Sequence, residues 1–311
     1  MSAAASAVVF AYHDVGARCL RVLLAHGIRV PLVVTHTDDP REYIWFERVA
    51  GVAQESGLRC IAPIDANSDD VLARVRACAP DFLFSFYYRS MLSPALLALP
   101  RRGALNMHGS LLPKYRGRAP VNWAIVHGER HTGATLHYMT DKPDAGDIVA
   151  QQTVPILPDD TAHQVMRKVA VAAEIALDAA LPPLIDGTAP RIRQDLTQSS
   201  YFTGRTPEDG RIDWSKSARQ IHNLVRAVAP PYPGAFTMIG GVPARILATR
   251  VIDDSSPASI APAMEVRDGR MTVRCGGGGT LAIVALEIDG AAAGASTLLA
   301  RFGCAAAPLG Q

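Results

Sequence analysis

The sequence predicts an α/β protein: a Rossmann-like parallel-sheet N-terminal domain over residues 1–203, then a smaller, mostly β domain over residues 204–311 with the outline of a barrel. Three observations carry that prediction. Over the first 110 residues, short β-rich apolar runs alternate with helical periodicities, the pattern of parallel strands joined by crossover helices. Residues 182–204 are enriched in Pro, Ser and Thr and read as a linker. Beyond them come short strand-like runs separated by glycine and proline turns.

Taken in order, Ala7–Ala11 reads as a buried strand and Ala17–His26 as the first helix, with apolar residues at helical spacing. Leu32–Thr35 is the second strand and Glu42–Ser56 the second helix. Val71–Cys78 follows as helix, Phe82–Phe86 as strand and Leu105–His108 as the next strand. Then come a helix (Val121–His127), strands near Ala134–Met139 and Ile148–Val154, and a helix over Ala162–Leu181. In the second domain, Ser217–Val228 reads as a helix stopped by Pro230-Pro231. Strands are expected at Ala235–Ile239, Ala244–Ile252, Met271–Cys275 and Leu281–Leu286, and a surface helix in the Ala-rich tail from Ala291.

Bulk properties narrow the function classes. At 49% hydrophobic and 19% charged, the composition is that of a globular protein. No apolar run approaches the roughly 18 residues that span a bilayer, and Met1–Ala7 lacks a basic n-region, so a cytoplasmic protein without membrane insertion is expected. Five cysteines, odd in number and without CxxC spacing, read as reduced thiols. Residues 1–203 hold 20 Lys+Arg against 20 Asp+Glu, and the whole chain carries only +2, which disfavours a nucleic-acid partner. The loop after the first strand, Tyr12-His13-Asp14-Val15-Gly16, lacks GxGxxG, so NAD is not expected despite the architecture.

The chemistry concentrates in two segments. One is Asn106-Met-His108-Gly109-Ser110, running on to Arg116-Gly117-Arg118-Ala-Pro120; the other is Thr140-Asp141-Lys142-Pro143-Asp144-Ala-Gly146-Asp147. Asn106 and His108 are two apart at a strand end, so their side chains share one face. An amide and an imidazole there can converge on a developing oxyanion, and Asp144 can orient the ring or take a proton. That equipment suits acyl transfer between small molecules. A single His at a strand end is more often a packing residue, and Asn or Asp near glycine often just closes a turn; the three together outweigh those readings. Ser110 lacks a GxSxG context for a nucleophile. His108, His137 and Asp144 could be imagined around a metal, but without HExxH or CxxC no metal is expected.

These two segments resemble the folate-dependent formyltransferase family, whose members move a formyl group from 10-formyltetrahydrofolate to an amine. The resemblance extends over most of the chain and implies an OB-like C-terminal barrel. Carried over residue by residue, it implies Asn106, His108 and Asp144 as the catalytic residues. It also implies a folate site formed by Ser90, Met91, Leu92, Arg118, Thr140, Asp141, Lys142, Pro143 and Asp144. Phe10-Ala-Tyr-His-Asp14, Thr35-His-Thr-Asp38, Phe84-Ser-Phe-Tyr-Tyr-Arg89, His222–Val228 and Tyr232-Pro-Gly-Ala-Phe236 resemble members that act on UDP-4-amino-4-deoxy-L-arabinose in lipid A modification and polymyxin resistance. Those members carry a fused dehydrogenase/decarboxylase half that these 311 residues lack, leaving a stand-alone enzyme or one half of a larger protein as alternatives.

The expected partners are therefore a folate and a sugar nucleotide, with self-association left open. Methionyl-tRNA formyltransferase is the nearest rival. Against it, the loop expected to carry a basic insertion reads His36-Thr-Asp38-Asp39-Pro40-Arg41-Glu42, short and net acidic. A folate deformylase and an OB-like nucleic-acid scaffold are weaker alternatives; the scaffold lacks interleaved basic and aromatic residues.

Overall fold

The computed structural model describes residues 4–259, 261–303 and 306–310. It divides into two compact units: residues up to Pro120, His131–Pro155 and Met166–Thr203; and Val121–Arg130, Ile156–Val165 and the residues from Gly204 on.

The first unit is built on strands β1 (Ser6–Ala11), β2 (Arg29–Val34), β3 (Cys60–Ile61), β4 (Phe82–Phe86), β5 (Gly103–His108), β7 (His131–Tyr138) and β8 (Ile148–Pro155), with β6 (Arg116–Gly117) outside the main sheet. The sheet order is β3-β2-β1-β4-β5-β7-β8. The first five strands are parallel; β7 runs antiparallel to both its neighbours, so the sheet is mixed at one edge rather than parallel throughout. β1 and β4 are buried along their whole length, as their unbroken apolar runs require of strands covered on both faces. The covering helices are α1 (His13–Ala25), α2 (Val49–Glu55), α3 (Asp69–Cys78) and the single turn α4 (Pro94–Leu97). Helix α5 spans Pro120–Val126, and α6, Ala162–Asp186, passes through Pro182 and Pro183. Within this unit α6 is tied to α1 by Arg18–Glu174 and by His26 with Asp178.

Two expectations fail here for physical reasons. The second helix covers only Val49–Glu55, because Trp45 and Phe46 pack edge-on and tilted against the His13 ring, a tertiary contact that overrides local periodicity. The supposed linker is a strap on the sheet. Ile192 and Ile148 exchange both backbone hydrogen bonds, at 2.8 and 2.9 Å, and β9 (Tyr201–Phe202) pairs with β6.

The second unit holds helix α7 (Ala218–Val228) and strands β10 (Ala235–Ile239), β11 (Val242–Asp253), β12 (Ala263–Arg267), β13 (Arg270–Arg274), β14 (Thr280–Ile288) and β15 (Ala291–Ala293), then α8 (Ala295–Phe302) and β16 (Ala306–Gly310). The pairings between these strands are antiparallel, and β11 pairs with β14 as well as β10, closing a six-stranded barrel β11-β10-β16-β12-β13-β14. Register shifts in β11 at Ile246/Ala248 and Val251/Asp253 supply the bending that closure needs. Ile221, Val225, Ile246, Val273 and Leu281 fill the interior. Helix α7 begins in a capping box in which the Ser217 hydroxyl accepts from Gln220 N–H and the Gln220 side-chain Oε1 accepts from Ser217 N–H. The tail is a correction: it folds as β15, α8 and the barrel stave β16, although Ala306-Ala-Pro-Leu-Gly310 carries little strand propensity. The fold class the sequence implies, a Rossmann-like sheet domain and a smaller OB-like barrel, is what the structure contains.

Candidate active site

Strand β5 delivers Asn106 and His108 to one face of the sheet, at its carboxyl end. The loop after β7 brings Asp144 to both. Asp144 Oδ1 lies 3.6 Å from His108 Nδ1 and 3.5 Å from Asn106 Nδ2. His108 is buried, and the Asp144 side chain is only 14% exposed. The sequence-predicted trio therefore converges on one point.

A fourth group joins them. His137 sits directly across from Asn106 in the β5–β7 register, which puts its ring on the same face. Its Nε2 is 3.1 Å from Asn106 Nδ2 and 3.6 Å from Asp144 Oδ1. The Tyr138 carbonyl, 2.8 Å from His137 Nδ1, holds the proton there, so Nε2 accepts from the Asn106 amide and fixes its orientation. The sequence pattern gives His137 no role beyond that of a conceivable metal ligand. The signal for its real position was the β5–β7 pairing, which is non-local.

His108 is fixed in the same way. Its Nε2 lies 2.8 Å from the Tyr115 carbonyl, which keeps the proton of the neutral ring on Nε2 and leaves the Nδ1 lone pair facing Asp144. For Asp144, burial alone would push the carboxyl up. The charge that His108 and His137 carry when protonated and the Gly117 N–H at 2.8 Å outweigh it and hold the group well below the usual carboxylate range. It is an anion at any working pH.

The Asp144 loop is strapped down. Arg116 Nε donates to the Pro143 carbonyl at 3.1 Å, and Gln194 Nε2 donates to the carbonyls of Asp144 and Gly146 at 2.9 and 2.7 Å. Asp144 itself takes a left-handed φ of 52°. Gly117, at φ 92°, admits no side chain, because a Cβ would overlap the Phe202 carbonyl. At Gly109 a Cβ would collide with the Tyr87 hydroxyl.

The residues expected against folate are more dispersed. Ser90, Met91 and Leu92 follow β4; Leu92 is buried, Met91 is 59% exposed, and Asn67 clamps the segment through Met91 O at 2.9 Å and Ser93 N at 2.7 Å. Thr140, Asp141 and Lys142 are exposed, with the Thr140 hydroxyl donating to the Lys142 carbonyl at 3.0 Å. Pro143 anchors the loop through Arg116. Arg118 has an exposed side chain and a backbone N–H bonded to the Phe202 carbonyl at 2.9 Å. Among the described residues no group of three His, Cys, Asp or Glu side chains could hold a metal ion, no helix is long and apolar enough to cross a membrane, and the four described cysteines are free thiols. Cys304 lies outside the described residues.

Comparison with known proteins agrees with this architecture. Among solved structures, an N-formyltransferase from Helicobacter canadensis, in complex with folinic acid and dTDP-3-aminofucose, is similar at 19% identity and TM-score 0.72, covering 90% of this chain and 99% of that one. WlaRD, a sugar 3N-formyl transferase solved in the presence of dTDP and 5-N-formyl-THF, matches at 17% identity and TM-score 0.70, covering 93% and 100%. A sugar N-formyltransferase from Shewanella sp FDAARGOS_354 matches at 17% identity and TM-score 0.61, covering 75% and 92%. At these identities the likeness is one of fold. The formyl transferase family model matches residues 17–181 and the formyl transferase C-terminal domain model matches residues 205–303. The chain belongs to the formyl transferase family.

Proposed function

We propose that this enzyme transfers a formyl group from 10-formyltetrahydrofolate to the amino group of a sugar nucleotide, with the 4-amino group of UDP-4-amino-4-deoxy-L-arabinose, the lipid A and polymyxin-resistance substrate, as the specific acceptor. The carrying observation is the convergence of Asn106, His108 and Asp144 in one buried cluster. The similar structures bound to folinic acid and dTDP-3-aminofucose, or to dTDP and 5-N-formyl-THF, support the two substrate classes.

In this reading the neutral amine attacks the formyl carbon and the carbonyl oxygen becomes an oxyanion. The Asn106 amide donates to it, giving up its long contact to Asp144. His108 Nδ1, the free lone pair of the ring, takes the amine proton, and the imidazolium so formed has an acceptor for each N–H: Tyr115 O and Asp144. Collapse breaks the bond from the formyl carbon to N10, His108 returns the proton to N10, and tetrahydrofolate leaves without a covalent enzyme intermediate. The donor would lie against Ser90–Leu92, Arg118 and the Thr140–Asp144 loop, residues 1–203 forming the catalytic domain and 204–311 the OB-like one. A cytoplasmic location, no nucleic-acid partner and no membrane insertion complete the proposal.

The loop at 36–42 argues against an acceptor tRNA, since its charges are already paired: Asp39 with Arg41, Asp38 with Arg48 and Glu42 with Arg89. The test is formyl transfer by the His108→Ala variant, expected to fall at least 100-fold with the fold intact. Turnover like that of the wild type would overturn the assignment.

A further inference from the structure

The row of side chains that begins at His108 continues across the sheet on the same face. Thr135 lies directly opposite His108 in the β5–β7 register, and Gln151 lies directly opposite Thr135 in the β7–β8 register. Thr135 is fully buried, whereas Gln151 is an exposed residue on the edge strand β8. Both stand outside the cluster of Asn106, His108, His137 and Asp144.

These two side chains hold the loop that leaves His108. The Thr135 hydroxyl donates to the Ser110 carbonyl at 2.6 Å and accepts the Leu112 N–H at 3.2 Å. Gln151 Nε2 donates to the Leu112 carbonyl at 2.8 Å and to the Thr135 hydroxyl at 2.9 Å. The polarity of the chain is fixed: the one hydroxyl proton of Thr135 is committed to Ser110, so both oxygens facing Gln151 need a donor, and the amide NH₂ supplies two. A carboxylate at position 151 could supply neither. The loop then closes on itself, the Ser110 hydroxyl donating to the Lys114 carbonyl at 2.6 Å. The next residue, Tyr115, presents the carbonyl that accepts from His108 Nε2 at 2.8 Å. Its far end is anchored separately, by Tyr115 N–H on the Ser200 hydroxyl at 2.8 Å.

We propose that Gln151 is a positioning residue for the transfer: through Thr135 and the 110–114 loop it aims the Tyr115 carbonyl at His108, keeping the ring proton on Nε2 and the Nδ1 lone pair free for the amine. The inference rests on His108 being the base, as read above, and adds what fixes its tautomer from the edge of the sheet. A neutral imidazole carries its proton on the nitrogen with the better acceptor. Here the two nitrogens compete, because Asp144 Oδ1 lies 3.6 Å from Nδ1 and would accept a proton placed there. That tautomer has no lone pair left to take the amine proton. The Tyr115 carbonyl wins by alignment, and a hydrogen bond weakens steeply as its angle closes. A loop released on the Gln151 side therefore hands part of the ring population to Asp144, while the Ser200 anchor keeps the remainder in place.

Ring-nitrogen NMR of the full chain labelled at histidine reads the tautomer directly, with the His108 signals assigned by their loss in His108→Ala. Beside it, kcat and KM are measured for formyl transfer from 10-formyltetrahydrofolate to UDP-4-amino-4-deoxy-L-arabinose, with a thermal melt of each variant. Gln151→Leu and Gln151→Glu alter an exposed residue of an edge strand, so both are expected to fold. Each should show His108 partly protonated on Nδ1 and a kcat lowered about 10-fold, with both KM values within about twofold of the wild type. An unchanged His108 tautomer in both variants overturns the proposal, whatever happens to kcat. So does a kcat within about twofold of the wild type, or a loss confined to KM, which would make Gln151 a binding residue. If the wild type formylates no sugar nucleotide, the acceptor reading falls; the ring spectra of the two variants still decide this proposal, since they need neither substrate.

Discussion

Replacing Asp144 by Asn keeps the shape of the site and removes its only buried charge at the point of convergence. The amide oxygen can still accept the Gly117 N–H, so the loop should hold. What is lost is the attraction between the carboxylate and the imidazolium that forms on His108 when the amine gives up its proton. At the observed 3.6 Å, two unit charges attract by about 4.6 kcal/mol at an effective dielectric of 20. The amide dipole and the slight exposure of the site restore part of that, leaving a loss of about 3 kcal/mol, or about 100-fold in kcat. Single-turnover formyl transfer at saturating donor and acceptor, beside a thermal melt to verify folding, measures it. A kcat within threefold of the wild type, in a protein that melts normally, would refute the reasoning.

Other outcomes follow from the same geometry. Because the folded Asp144 carboxyl is held down, its ionised form stabilises the native state above the unfolded value of about 3.9, and that contribution is lost as pH falls below it. The stability gap between wild type and Asp144→Asn, by urea denaturation, should be constant from about pH 5 to 8 and shrink below about pH 4; a gap that widens in acid would contradict the sign. Gly117→Ala forces a side chain into the left-handed region against the Phe202 carbonyl. It should cost about 1–3 kcal/mol of stability and also lower kcat, because the displaced backbone N–H no longer meets the Asp144 oxygen; an unchanged melting temperature would count against the strain. In the barrel unit, the buried Arg226 guanidinium donates to the carbonyls of Leu157 and Asp160, at 3.3 and 2.9 Å, and to Asn223. Arg226→Ala strands those acceptors and should destabilise by about 2–4 kcal/mol in urea; a cost under 0.5 kcal/mol would show that water replaces the side chain.

Much of this site was legible before any coordinates because its parts are local. Asn106 and His108 share a face through the two-residue period of a strand, and the unbroken apolar runs at β1 and β4 announce strands buried on both faces. What was hidden depends on pairing between distant segments. His137 enters the site only because β7 runs antiparallel to β5 and sets it opposite Asn106. Gln194 lies in a polar stretch that reads as a linker, yet it ties down the Asp144 loop through two carbonyls. The strand β16 is invisible to propensity: its Ala and Pro residues join the barrel through backbone pairing with β10 and β12. The residues 42–48 keep a helical pattern but surrender it to aromatic packing on His13.

The central claim is that formyl goes from folate to an aminosugar nucleotide. The most direct measurement offers the enzyme 10-formyltetrahydrofolate with UDP-4-amino-4-deoxy-L-arabinose and methionyl-tRNA in parallel, each product followed by mass. The account predicts an N-formylated sugar nucleotide, with one tetrahydrofolate released per formyl transferred and no formylated tRNA. Formylation of the tRNA alone would contradict it.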